Sequence, residues 1–171
     1  TTKNTEQVTD GPYDDSSPAW SRDGSLLAFV SNRTEEPDSN ANTDIFLTEP
    51  RSDATIRKLT TSEGSDSSPS FSPDGTFVTY VAGGNPSDIW YAPRYVAVIP
   101  VAGGSPTHLG AELDRNGSSP RVTPDGKYLL YLLEDEGNRH LAKVPIAGGS
   151  VERVVAGERT LSSFDLDKNG N

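Results

Sequence analysis

The stretch SSPSFSPDGTFVTYV, residues 67–81, holds a proline, an aromatic residue, an Asp-Gly pair and an alternating apolar run within fifteen positions. Two similar stretches, SSPAWSRDGSLLAFV (16–30) and SSPRVTPDGKYLLYL (118–132), place their prolines 51 residues before and 51 residues after Pro69. A fainter fourth copy, SFDLDKNG, occupies residues 163–170. Because recurrence at one fixed spacing is typical of repeat architectures, the chain is predicted to be an array of similar units.

Each unit has the pattern of short β-strands. Apolar residues fall at period two, and 16 glycines and 13 prolines disfavour long helices. The first strand of each unit carries an apolar residue just before a tight turn, and these residues are Trp20, Phe71, Val122 and Leu166. We assign the first three of them to the core. The second strands are predicted at 26–30, 77–81 and 128–132. The third strands are predicted at 44–48, 95–100 and 139–144. The fourth strands are predicted to end at Leu59, Leu109 and Val154. Glycine pairs at 103–104 and 148–149 suit the turns between third and fourth strands.

Four antiparallel strands per unit, at a spacing close to the roughly 40–50 residues of a propeller blade, predict an all-β fold. We expect one domain that is a partial β-propeller, with about three full blades plus flanking strands. The blades are placed at residues 12–60, 62–110 and 112–156, the outer strand of a preceding blade at 1–11, and the start of the next blade at 157–171. A closed ring usually takes about four to eight blades. Either a longer protein or a homodimer is therefore expected to complete the ring.

Composition excludes several classes of function. The formal net charge of −10 argues against a nucleic-acid partner, because the phosphates would be repelled. No apolar run approaches the roughly 20 residues that cross a membrane, so no membrane association is predicted. The absence of cysteine excludes disulfides and thiolate metal ligands, and no cofactor is predicted. The compartment stays open, since an exported or periplasmic bacterial protein and a cytoplasmic protein fit equally well.

The sequences of the repeats resemble those of the propeller in the prolyl oligopeptidase family of serine peptidases. SPAWSRDGSLLAFVSNR (17–33), RKLTTSEGSDSSPSFSPDG (57–75) and ELDRNGSSPRVTPDGKYLLYLLEDEGNRHLAKVPIAGGSVERV (112–154) carry the resemblance, which covers nearly all 171 residues. The Ser-Pro-x-x-Ser-Pro-Asp-Gly element is shared with TolB-like propellers. The stretches 114–116 and 134–137 point more to the acylaminoacyl-peptidase and dipeptidyl-peptidase branches of the peptidase family.

The resemblance implies a role without catalysis. In that family the propeller sits over an α/β-hydrolase domain that follows it, restricts entry to peptides, and lends some residues to substrate binding. The expected partners are therefore a peptide substrate and a C-terminal hydrolase domain. The alternative is a TolB-like propeller that binds a protein partner and has no attached enzyme.

The residues themselves show no catalytic signature. A nucleophile elbow needs Gly-x-Ser-x-Gly, and this sequence does not contain it. His108 and His140 are the only histidines, and both lie in predicted strands beside apolar neighbours. We therefore expect ordinary strand histidines rather than a Ser-His-Asp triad, and no peptide hydrolysis by this chain alone.

Two segments are candidates for substrate or partner binding. Trp90, Tyr91, Arg94 and Tyr95 crowd a stretch with turn character, and aromatic and arginine side chains are enriched in recognition surfaces. Core packing of Trp90 is the alternative. The Asp114-Arg115 pair precedes the first strand of the third blade, where a loop could face the central channel or the hydrolase domain. The alternative for this pair is an ion pair within the blade.

Metal ligation is weakly indicated. Asp38, Asn40, Asn42 and Asp44 have the spacing of oxygen ligands in a calcium loop. However, Thr43 replaces the glycine of the sharp turn and a strand follows directly, so a solvated loop is the better prediction. For residues 165–170 a turn is likewise predicted, and for the carboxylate pair at 35–36 an acidic surface loop.

Overall fold

The computed structural model describes residues 5–167, apart from the side chains of Ile89 and Trp90. It contains three four-stranded antiparallel sheets, each with its strands in chain order. The first sheet comprises β1 (Asp15–Trp20), β2 (Leu27–Ser31), β3 (Asp44–Thr48) and β4 (Arg57–Lys58). The second comprises β5 (Ser67–Phe71), β6 (Phe77–Ala82), β7 (Tyr95–Pro100) and β8 (Thr107–Leu109). The third comprises β9 (Gly117–Val122), β10 (Tyr128–Asp135), β11 (Asn138–Pro145) and β12 (Glu152–Val155). Short 3-10 helices cover Pro37–Ser39, Pro86–Tyr91 and Ala111–Leu113.

This arrangement confirms the predicted fold class of a partial propeller. The sheets fall within the ranges given to the three blades, and β3 and β7 have the expected bounds. Among residues 5–167 no helix is long and apolar enough to span a membrane. Each sheet has two distinct ends. The turn end carries the Asp-Gly turns, and the loop end carries the connections 32–43, 60–66, 83–94, 110–116 and 136–137.

The recurring Ser-Ser-Pro triplet forms a bulge in the first strand of each sheet. Ser17, Ser68 and Ser119 have φ values of 50°, 55° and 54°, in the left-handed region. At each of them the register with the second strand shifts. The proline that follows has no N–H to donate to the ladder, so it fits the bulge. The triplet therefore repeats because every unit bends its innermost strand in the same way.

The Asp-Gly turn repeats for a related reason. The Asp23 carboxylate accepts from the Ser21 hydroxyl at 2.7 Å and from the backbone N–H of Ser25 at 3.1 Å. Gly24 then takes a φ of 74°, which a residue without a Cβ adopts freely. The same bonds form around Asp74 and Asp125. These hydrogen bonds, led by the one from Ser21, lower the pKa of Asp23 to about 2.

The core lies between the sheets rather than within one layer. The first junction buries Ala28, Val30, Ile45, Leu47 and Leu59 together with Val78, Tyr80, Ala82, Ala97 and Ile99. The second junction buries Val96 and Leu109 together with Leu129, Tyr131, Leu133, Ala142 and Val144. Each sheet thus offers an apolar face to its neighbour, as expected for period-two strands that are apolar on both faces.

The assignment of Trp20 to the core is wrong, because its side chain is 58% exposed. Its counterparts Phe71 and Val122 are partly buried against the junction with the preceding sheet. Within the described residues no sheet precedes the first, so Trp20 has no such junction to enter.

The first strands converge at one axis. Trp20, Phe71, Val122 and Leu166 line a single depression of about 390 Å³ at the turn end. Residues 162–167 reach this depression without forming a strand, and residues 5–14 also form none. The flanking strands at 1–11 and 157–171 therefore stay predictions, and residues 1–4 and 168–171 lie outside the described part.

Candidate functional site

A cleft of about 440 Å³ lies at the loop end, between the second and third sheets. Three of the six residues predicted for binding line it, namely Tyr91, Asp114 and Arg115. Arg94 lines an adjoining cleft, and Tyr95 contacts the first cleft through Asp114. The side chain of Trp90 lies outside the described part. The structure thus brings the two predicted segments together, and their role in binding stays a prediction.

The short helix Pro86–Tyr91 positions the aromatic edge of the cleft. The Asn85 side chain accepts from the backbone N–H of Ser87 at 2.9 Å, which caps the start of the helix. The helix stops before the Ala92-Pro93 pair, since the residue before a proline avoids helical backbone. Tyr91 is left 91% exposed beside the cleft. An exposed ring at this place is available to a ligand.

Asn116 joins the second and third sheets at the floor of the cleft. Its Oδ1 accepts from the backbone N–H of Arg94 at 2.9 Å, and its Nδ2 donates to Glu134 Oε2 at 3.2 Å. The N–H of Gly117 donates to the Arg94 carbonyl, and the N–H of Glu134 donates to the Asn116 carbonyl. The sequence indicated residues 114–116 only through a family resemblance, and it did not predict that Asn116 links the two sheets. An Asn-Gly pair directly before a strand is the local signal that could have indicated it.

Asp114 is held in a left-handed conformation at the cleft. It follows the short helix Ala111–Leu113 with a φ of 50°. The Tyr95 hydroxyl donates to its Oδ1 at 3.3 Å. Desolvation and the neighbouring Asp114 carboxylate raise the pKa of Tyr95.

The alternative of an ion pair within the blade holds for Arg115, whose partner is Asp135 rather than the neighbouring Asp114. Arg115 Nη1 donates to the backbone carbonyl of Asp114, and its Nε pairs with Asp135 at 3.2 Å. Asp135 also pairs with Arg153. The donors of Arg153 and then Arg115, acting against desolvation, lower the pKa of Asp135. Both oxygens of Asp135 are therefore occupied by arginines of the chain.

Two other carboxylates at the cleft have no cationic partner. Glu134 pairs with Arg139 at 3.1 Å. Among residues 5–167 neither Asp114 nor Glu136 takes part in an ion pair. The cleft therefore offers two unpaired carboxylates, an exposed aromatic ring and several polar groups. This combination suits a cationic or peptide ligand.

The two histidines contact a backbone carbonyl and an aromatic ring. His140 Nε2 lies 3.2 Å from the carbonyl of Gly157, and the His108 ring lies 6.0 Å from the Tyr95 ring. In the described part of the chain neither histidine is hydrogen-bonded to a serine.

Two of the four residues of the weak calcium candidate, Asp44 and Asn40, have oxygens engaged with the protein. Asp44 is buried, pairs with Lys58 at 2.6 Å, and accepts from Thr60 at 3.2 Å. Asn40 Oδ1 accepts from Asn32 and from the backbone N–H of Asn42. Within residues 5–167 no group of three or more His, Cys, Asp or Glu side chains could hold a metal ion. Metal binding by Asp38, Asn40, Asn42 and Asp44 stays a weak prediction, which the contacts of Asp44 and Asn40 disfavour.

The family profile of the TolB beta propeller domain matches residues 1–165. The chain belongs to the TolB beta propeller domain family. The fold agrees with a solved structure of TolB from Acinetobacter baumannii, which has 24% sequence identity and a TM-score of 0.71 over 92% of this chain and 36% of that one.

Peptidases also carry this propeller. Dipeptidyl-peptidase 5 of Porphyromonas gingivalis is 25% identical over 153 residues, which is 86% of this chain and 22% of that protein. A Mycobacterium tuberculosis puromycin-hydrolyzing peptidase has 20% identity and a TM-score of 0.65, over 85% of this chain and 22% of that one. The chain is thus a TolB-like propeller domain related to peptidase propellers, and it spans about a fifth of the length of these relatives.

Proposed function

We propose that this chain is the non-catalytic propeller segment of a serine peptidase of the prolyl oligopeptidase family, and that it gates or binds peptide substrates. The observation that carries the proposal is the similarity to Dipeptidyl-peptidase 5 along 86% of the chain. The cleft at the loop end supports it, because an exposed tyrosine and unpaired carboxylates are suited to peptide groups.

The mechanism follows from the arrangement of the sheets. Rigid sheets hold the loop-end residues in place, and Asn116 ties two of these sheets together beneath the cleft. Peptides would contact Tyr91 and Asp114 before reaching a hydrolase domain. The chain would supply orientation and selection, and the other domain would supply the nucleophile.

The coding sequence that follows Asn171 tests this proposal. A downstream domain with Gly-x-Ser-x-Gly supports the peptidase segment, and a stop codon contradicts it. Where the domain exists, the full protein should cleave short peptides and spare folded proteins. Its Tyr91→Ala variant should show a raised KM with little change in kcat, because Tyr91 is proposed to bind substrate and not to react. The matched control is Tyr13→Ala, which changes an exposed tyrosine that does not line this cleft.

The second candidate is a TolB-like propeller that binds a protein partner and has no attached enzyme. The family match and the TM-score of 0.71 to TolB favour it. A short open reading frame with further repeats and no hydrolase domain would select this function over the first.

Ring completion is open to two proposals, which are further blades of a longer chain and a second copy of this chain. The mass of one chain is 18.3 kDa. Light scattering separates the proposals, because a homodimer would have twice this mass. A strict monomer would contradict the homodimer.

A further inference from the structure

A second cleft adjoins the first at the loop end. It has a volume of about 580 Å³ and lies between the first and second sheets. Ala92 and Asn116 line both clefts, so the two meet along the wall formed by residues 92–94 and 116. The two clefts therefore lie side by side at the loop end, in a depression that extends across the three sheets.

The wall of the second cleft is made of backbone. A Cβ added at Gly64 would lie 2.4 Å from the carbonyl oxygen of Gly84, and one added at Gly83 would lie 2.5 Å from the Ser65 nitrogen. Side chains are excluded at these positions, because real Cβ atoms do not approach so closely. At this wall the loops 60–66 and 83–94 therefore pack backbone against backbone, with no space for a side chain at Gly64 or Gly83.

The two ends of the depression differ in charge. The third-sheet end has Asp114 and Glu136 without ion pairs among the described residues, and Tyr91 stands exposed beside them. The other end has one carboxylate, Glu63, and the cationic Arg94. Arg115 and Arg139 also line the third-sheet end, but each of them pairs with a carboxylate, so this end keeps an excess of negative charge that favours a positive group.

The chain itself shows how such groups hold a guanidinium. At the loop end of the first sheet, Arg33 lies 4.8 Å from the centre of the Tyr13 ring. Its Nη2 lies 3.1 Å from both oxygens of Asp15. A tyrosine face and a carboxylate together thus bind arginine, through cation–π and charge-assisted contacts. Tyr91 and Asp114 offer the same two groups without an arginine of their own.

We infer that the two clefts form one groove for an extended peptide, with an arginine side chain of the peptide held at the third-sheet end by Tyr91, Asp114 and Glu136. The inference rests on the proposed function and names its substrate class. It specifies a side chain, so acetylation of the peptide amino terminus should leave binding unchanged.

Fluorescence anisotropy with the full chain tests the inference. The probe is a labelled, acetylated hexapeptide of glycine and alanine with one arginine, and its matched form carries citrulline, which has the same shape without the charge. The arginine peptide should bind about tenfold more tightly at low ionic strength, and the difference should shrink in 0.5 M salt, where charges are screened over about 4 Å.

Variants locate the contact. Glu136→Gln and Tyr91→Ala should each remove several-fold of the preference for arginine, and Glu158→Gln, a matched change of an exposed glutamate elsewhere, should leave it unchanged. Equal binding of both peptides overturns the inference and leaves the proposed function standing. Failure of both peptides to bind overturns the inference and the proposed function together. Tighter binding of a peptide with a free amino terminus than of its acetylated form overturns the assignment of the site to an arginine side chain.

Discussion

Asp15 and Asp66 occupy the same position in two repeats but have different partners. Both oxygens of Asp15 lie 3.1 Å from the Arg33 guanidinium. Asp66 is fully buried between the first and second sheets, and its Oδ1 has no hydrogen-bond partner. The repeat position equivalent to Arg33 is Gly84 in the second unit, so the cation is missing there. The Asp15 carboxylate pairs with Arg33 of its own repeat, whereas the Asp66 carboxylate has no cationic partner among residues 5–167.

Stability should therefore depend on pH through Asp66. Desolvation, aided by the charge of Asp44, raises the pKa of Asp66 to about 6, although donors from Thr60 and Ser62 oppose the shift. Because the pKa is raised on folding, the stabilising contribution is fully present below the ordinary value of 3.8 and is lost as the pH rises through 6. Asp66→Asn should raise stability at pH 7 by about 1–3 kcal/mol and flatten the pH profile between 4 and 7.

Urea unfolding at several pH values measures this effect. Asp15→Asn is the matched control, and it should lower stability at pH 7 by about 1 kcal/mol because it weakens the contact with Arg33. If Asp66→Asn is less stable than the parent chain at pH 7, the account of a buried carboxylate without a countercharge is wrong.

The Asp-Gly turns should contribute to stability through the aspartate side chain. Asp74→Ala removes acceptors for the Ser72 hydroxyl and for the N–H and hydroxyl of Thr76. We expect Tm to fall by about 2–4 °C, measured by circular dichroism. Asp88→Ala, a change in an exposed helix at the loop end, serves as the control. Equal Tm values for the two variants would show that the turn bonds do not matter.

The bulge should tolerate glycine and reject β-branched residues. Ser68 has a φ of 55°, which a branched side chain adopts only with strain. Ser68→Val should destabilise the chain by about 1–2 kcal/mol, whereas Ser68→Gly should change stability by less than about 0.5 kcal/mol. Denaturant midpoints of the two variants give the comparison. A tolerated valine would contradict the left-handed bulge.

Equivalent aromatic positions should differ in importance. Trp20 is exposed, whereas Phe71 packs against the first junction. Phe71→Ala should therefore cost about 2 kcal/mol of unfolding free energy, and Trp20→Ala less than about 1 kcal/mol. The difference should vanish or reverse if another blade or a second copy covers Trp20, so the pair also reports on ring completion.

The strands and turns could be predicted from the sequence because their causes are local. Alternation, the Asp-Gly pair and the glycine pairs act within a few residues, and β7 has the bounds that its pattern indicates. The burial of Trp20 could not be predicted, since it depends on a neighbouring sheet. Likewise, Asn116 and Asp66 owe their roles to contacts between sheets, which no single repeat encodes. The two segments of the candidate cleft could be predicted because they are unusual in composition. Their contact could not be predicted, because it depends on the tertiary structure.

The central claim is that peptides bind at the loop end of the sheets. Two-dimensional NMR of the labelled chain tests it most directly, with glycine amides as reporters during titration with a short arginine-containing peptide. The account predicts shifts at Gly117 and Gly137, which flank the cleft, and none at Gly24, Gly75 and Gly126 in the turns. Shifts confined to the turn end, or no shifts at millimolar peptide, would contradict it.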